Sequence, residues 1–176
     1  MSTTDFNDLL FNVRRSIRYH EKRQNFYEGC YKFILFVGFF SGPAFILIKG
    51  ANMPDWYIYI PSMTVSILTG IGLVYSWHQK AILHIDLKRE FISLEIELEA
   101  GRKNPTPELI EAVTTKMLHA ETKEPPILRV LNIVCHNELG LAMGYEQKDL
   151  YRIRFYQRAL KHFFDWNPNS IQLHGA

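Results

Sequence analysis

Apolar positions are spread unevenly along this chain. Two uncharged apolar runs, residues 33–48 and 56–77, are separated only by a short polar break, Lys-Gly-Ala-Asn-Met-Pro-Asp, at 49–55. A helix that spans a bilayer needs roughly 20 mainly apolar residues. The second run is long enough alone. The first is long enough if 29–31 join it and Lys32 reaches up to the headgroups on its aliphatic stem. The pattern predicts a two-helix membrane hairpin with spans at about 29–48 and 56–77.

The flanks carry a different periodicity. Phe6, Leu10, Val13 and Ile17 recur at spacings of 4, 3 and 4, which is the apolar stripe of a helix. Beyond the second run, Leu83, Leu87, Phe91, Leu94 and Leu98 recur at 4, 4, 3 and 4 among charged residues, and read as a heptad-like seam. Gly101 and Asn104-Pro105 end it. Each flank is about 24 residues, so each helical arm would reach roughly 36 Å. The arms are expected to pair through these stripes, and the second stripe is a candidate oligomerisation seam. Residues 1–101 therefore read as a hairpin with helical arms.

Residues 104–176 read as a small helical domain. Thr106-Pro107-Glu108 is a helix start: a capping hydroxyl, proline at the first position, then an acid near the positive end of the helix dipole. Ile110, Val113 and Met117 form its apolar face, and Glu124-Pro125-Pro126 breaks it. Leu128, Leu131, Cys135, Leu139 and Ala142 mark a second helix that stops near Gly144. A third is expected from about Lys148 to Phe164, ended by Asn167-Pro168-Asn169. The whole is an all-α membrane protein.

Charge then orients the hairpin. Of 20 Lys and Arg in 176 residues, Arg14, Arg15, Arg18, Lys22, Arg23 and Lys32 precede the first run, and Lys80, Lys88 and Arg89 follow the second. The connecting loop has only Lys49 and Asp55. By the positive-inside rule both termini are cytoplasmic. Net charge is +2, which gives no bulk argument for a nucleic-acid partner. A signal peptide is not expected, because the first run starts about 32 residues in and no small-residue cleavage site follows. The two cysteines, Cys30 and Cys135, are expected to be free thiols.

Candidate chemistry is sparse. Gly38 and Gly42 form a helix-packing patch with Ser41 and Ala44, usable within the hairpin or between subunits. Ser62, Ser66, Thr69 and Ser76 fall near one face of the second run and are candidate pore-lining residues; hydroxyls that bond their own helix carbonyls are the plainer alternative. No charge lies inside either run, which argues against a proton relay, a voltage sensor or an ion-coupled transporter. His119-x-Glu121 and His136-x-Glu138 point to opposite sides of a helix and cannot chelate one ion locally. No phosphate loop, nucleophile elbow or spaced Cys/His cluster occurs, so neither an enzyme nor a cofactor is expected. In the third helix Arg154, Arg158, Lys161 and Phe163 are candidate membrane-surface residues, since aromatic and basic side chains together suit the headgroup layer; an ordinary core-facing helix of a small domain is the alternative.

The order of parts resembles the SLATT family, two-transmembrane effectors associated with SMODS and SLOG proteins in bacterial conflict systems. The residues behind this are Arg14-Arg15-Ser16-Ile17-Arg18-Tyr19-His20, Lys22-Arg23, the two runs, and the charged helix 78–100. It covers about the first 100 residues. Segments 135–139 and 163–167 look like parts of phage and prophage membrane proteins. The SLATT resemblance implies a self-associating bacterial inner-membrane protein that permeabilises the bilayer when a linked sensor fires; the likeness to phage proteins implies no function, and a sensor or a phage protein is the expected partner. The alternative is a non-conducting membrane interaction protein, such as a superinfection-exclusion factor or an assembly scaffold.

Overall fold

A computed structural model of the chain describes residues 3–51 and 54–175; Asn52 and Met53 of the polar break lie outside the described residues. The architecture is all-helical. In order come α1 (Thr3–Gly50), α2 (Trp56–Tyr75), α3 (Trp77–Gly101), α4 (Pro107–Glu121), α5 (Arg129–Ala142) and α6 (Phe155–Leu160), with short 3-10 turns at Gln147–Asp149 and Pro168–Ser170. Among the described residues the one extended pairing is an isolated antiparallel bridge between Tyr151 and Leu173.

The chain forms two compact units. One comprises 1–23 with 84–176, the other 24–83. The division therefore does not fall at 101–104 as the sequence suggests. The arms belong with the C-terminal segment, because their stripes are completed by it. Phe6, Leu10 and Val13 of α1, Phe91, Leu94 and Leu98 of α3, and Ile110, Val113 and Ala120 of α4 make one buried cluster. Ile17 and Met117 pack on its margin. A second cluster joins Tyr19 of α1 to Leu131 and Cys135 of α5. Each fully buried Leu or Phe contributes about 1.5–3 kcal/mol relative to an exposed one, so these stripes hold this unit together.

Local signals explain the helix ends. The Thr106 side chain accepts a hydrogen bond from Leu109 N at 3.3 Å, with Pro107 opening α4. The first turn of α5 is closed from a distance: Asp165 accepts from Arg129 N and Val130 N at 2.8 and 3.0 Å. Gly144, at φ +84°, follows α5 and turns the chain where a side chain would be strained.

The third helix expected in residues 104–176 is much shorter than its periodicity predicts. Residues 148–154 leave the helical register because Asn137 binds their backbone in both directions, donating to Tyr151 O at 2.6 Å and accepting from Tyr151 N at 2.9 Å. Arg152 N then donates to Gln172 O and His174 N to Leu150 O, both at 2.8 Å. Only Phe155–Leu160 remains as α6.

The unit 24–83 has the opposite distribution of apolar surface. Phe39 is 74 % exposed and Val74 82 %, and Ile58 is buried. Within it, Tyr31 meets the His78 ring at 4.9 Å and the Lys80 ammonium lies 5.9 Å from the Tyr27 ring. Ile34 comes so close to Gly72 that a side chain there would displace it. Lys49 pairs with Asp55 at 3.1 Å. α1 continues through Pro43, and α2 ends at Ser76, which adopts the left-handed conformation (φ 48°) and returns its N–H to Gly72 O.

Candidate functional site

The apolar stripes of both arms end in a histidine. Three residues after Ile17 comes His20, and three before Leu87 comes His84, so each ring sits where the helix period places core side chains. Both are buried, at 0 % and 1 % exposure. Their Nδ1 atoms lie 2.9 Å apart, and His20 Nε2 lies 3.0 Å from Glu124 Oε1. The Glu124 carboxylate is in the segment that leaves α4. The His20 ring stacks on Phe91 and meets Tyr19 edge-on. Tyr19 in turn accepts from Leu128 N at 3.0 Å.

The proton inventory of this chain is tight. With Glu124 ionised, His20 Nε2–H donates to it. A neutral His20 then presents a bare Nδ1, which accepts from His84 Nδ1–H. The reverse direction of the Nδ1–Nδ1 bond requires His84 to carry its proton on Nε2 instead. Protonation of both rings sets two donors face to face at 2.9 Å. Burial pushes His84 down to about 3, with the His20 and Arg23 charges acting the same way. Arg23, also buried, donates to His162 O at 2.7 Å. Burial, then Lys161, holds His162 down to about 4. Glu121 stands behind Glu124, and its carboxyl is raised by burial and by the Glu124 charge. The arrangement ties the two arms to the segment after α4 through one buried hydrogen-bond chain, His84–His20–Glu124.

Several other charges of this unit are paired at its surface. Arg14 bridges Glu95 and Glu99 at 2.7 Å each, and Lys22 meets Glu138 at 2.9 Å. His136 packs against Phe11 and Tyr151, and burial followed by the Arg15 charge lowers its pKa. The Cys135 thiol is pushed up to about 12, mainly by burial. Neither Cys30 nor Cys135 is in a disulfide among the described residues. Among the described residues no group of three or more His, Cys, Asp or Glu gathers to hold a metal ion.

The residues singled out by sequence land in three ways. Leu87, Phe91, Leu94 and Leu98 are buried inside their own chain; they form an internal core, and are not an open seam for another subunit. Leu83 is exposed, in the other unit. Ser62, Ser66 and Thr69 lie on α2; Ser62 is exposed, and the Ser66 hydroxyl donates to Ser62 O at 2.9 Å. Ser76 lies beyond α2, at its left-handed cap, and donates to Leu73 O. Gly38 and Gly42 face open space, with no other atom within 4 Å of where a Cβ would stand; close approach occurs instead at Gly72, which the small-residue pattern does not single out. Arg154 and Phe163 are exposed, as is Arg158, while Lys161 is half-buried and burial lowers its pKa.

His20, His84 and Glu124 are not among the candidates that sequence motifs supply. A signal for His20 is present in the first stripe, whose period runs on by one step; His84, three before Leu87, takes the buried position that the spacing assigns to Leu83. Nothing local marks Glu124.

The chain is thus an all-helical protein with two helices long and apolar enough to cross a membrane. Comparison with known protein families, with curated proteins and with solved structures finds no match.

Proposed function

We propose that the chain is a two-pass membrane protein, its spans at 29–48 and 56–77 forming a hairpin, that self-associates into a pore or otherwise permeabilises the bilayer. The observation that carries this reading is the exposure of most apolar side chains on both runs, together with an open Gly38/Gly42 face on α1. Apolar surface of that extent needs lipid or further copies of the chain against it, and small residues let helix backbones approach closely in lipid. The basic flanks support cytoplasmic termini, and the SLATT-like order of parts supports a bacterial inner membrane and a role in conflict with phage. Residues 104–176 then contribute a cytoplasmic helical portion that receives the trigger.

The test is purification in detergent, measurement of oligomeric mass, and ion flux from reconstituted liposomes. A defined oligomer that passes ions supports the reading. Gly42→Ile is expected to lower both mass and flux while helicity is kept. A protein that stays tight in every lipid overturns the pore.

The second reading, a non-conducting interaction protein, is favoured by one detail. The Ser66 and Thr64 hydroxyls are spent on their own helix carbonyls, which lowers their value as a wetted wall. Ser66→Leu with Thr69→Leu separates the two: flux falls for a pore, and nothing changes for a scaffold.

A further inference from the structure

The segment around α6 presents aromatic rings outward on a rigid frame. Phe155 is 88 % exposed and Phe163 65 %, and Phe164 and Trp166 are exposed with their rings 6.1 Å apart. Such rings are usually the first to be buried. Here the frame beneath them is built from polar groups. Gln157 is buried and its amide N–H groups donate to Trp166 O, Asn167 O and Ser170 Oγ at 3.1–3.2 Å. Its carbonyl oxygen accepts from Arg154 N at 3.0 Å. Asp165, between the exposed rings, has both oxygens committed to the first turn of α5. The rings are therefore held outward by construction, and docking them costs little ordering entropy.

Charge selects the partner. Residues 150–176 contain Arg152, Arg154, Arg158 and Lys161 against a single carboxylate side chain, Asp165. Arg154 and Arg158 are exposed beside the rings, and among the described residues neither has a carboxylate partner within salt-bridge distance. Aromatic rings that seat at the depth of the headgroups, next to arginines that neutralise phosphates, are the chemistry of an anionic lipid surface. We propose that residues 154–166 dock this protein's helical portion onto the headgroup layer of an anionic bilayer. The proposal rests on the reading of 29–48 and 56–77 as spans, since these hold a bilayer within reach.

The test uses the full chain with Trp56→Phe and Trp77→Phe, which leaves Trp166 as its single tryptophan. It is reconstituted into phosphatidylcholine vesicles with or without phosphatidylglycerol, both carrying brominated acyl chains, and flotation is scored separately. Trp166 emission is expected to shift to the blue and to be quenched in the vesicles containing phosphatidylglycerol. Replacing Arg154 or Arg158 by Gln should weaken the docking equilibrium about fivefold each. Phe155→Ser with Phe163→Ser should abolish quenching, with helicity and flotation unchanged. Protein that floats but shows no quenching in either lipid overturns the docking and leaves the spans standing. Shielding of Trp166 that rises with protein density and ignores lipid charge also overturns it, in favour of a second copy. Protein that does not float overturns the spans and the docking together.

Discussion

α1 is one helix with two kinds of surroundings. Over its first turns Phe6, Leu10 and Val13 are buried against α3 and α4. Later along the same helix Phe33, Phe36 and Phe39 are exposed, as are Leu73 and Val74 on α2. Backbone geometry is the same in both stretches, so it does not decide which residues are covered. The difference lies in what surrounds each apolar residue in sequence. In the first stretch apolar residues are spaced by three and four among charges, leaving one stripe to be covered by protein. In the second they occur on all sides, and no single neighbour covers them. A helix apolar all round needs a surrounding medium, whereas one with a stripe needs a partner.

The sharpest way to break this comparison is a matched pair of truncations. Phe91→Ala should cost about 3–5 kcal/mol, from lost burial plus the cavity, read as faster amide hydrogen exchange across α3 and α4 in detergent. Phe39→Ala should stay within about 0.5 kcal/mol by the same measurement. Equal effects would show that the exposed stretch has a hidden protein partner.

Acid should act on one region and spare the other. His84 is held at about 3 in the folded chain, below its ordinary value of about 6.5. Its stabilising effect is complete above that ordinary value and is lost as pH falls from there toward 3. The unit 1–23 with 84–176 should therefore lose about 2 kcal/mol between pH 7 and pH 5 from this group, with His162 adding in the same direction. Exchange rates measured against pH should steepen in α3 and remain flat in α2. His84→Gln should remove its share of the slope; an unchanged slope would exclude His84 as the titrating group.

The smallest contrast concerns helix starts. Thr106 caps α4 with its side chain, and Asp55 makes no such bond to α2. Thr106→Ala should cost about 1 kcal/mol, seen as fraying of α4 in exchange, and Asp55→Ala should leave α2 unchanged within error.

Much of this architecture is legible in the sequence because it rests on period and punctuation. The apolar runs, the two stripes, the Thr106-Pro107 start and the stop near Gly144 all act through neighbours within a turn or two. What escapes has long-range causes. Asn137 straightens the backbone around Tyr151 from 14 residues away, and Asp165 closes α5 from 35. Neither leaves a mark in local periodicity. The stripe of α3 is readable as apolar, but whether it meets another subunit or its own chain depends on α1 and α4 together. His20 is visible as a stripe position once the first stripe is extended by a step, His84 only once a spacing of three before Leu87 is chosen over the spacing of four that gives Leu83, and their pairing with Glu124 is a tertiary fact.

Ser76 gives a signature that a mutational scan can read without any assay of function. A side chain in the left-handed region is tolerated best as Gly, then Asn or Asp, and worst when branched at Cβ. If α2 ends where it does, position 76 should accept those residues and reject Val, Ile and Thr, the reverse of the preference expected at its helical neighbours Val74 and Tyr75. The ranked tolerance of one site in a growth or expression library thus becomes a genetic ruler for where the apolar helix stops.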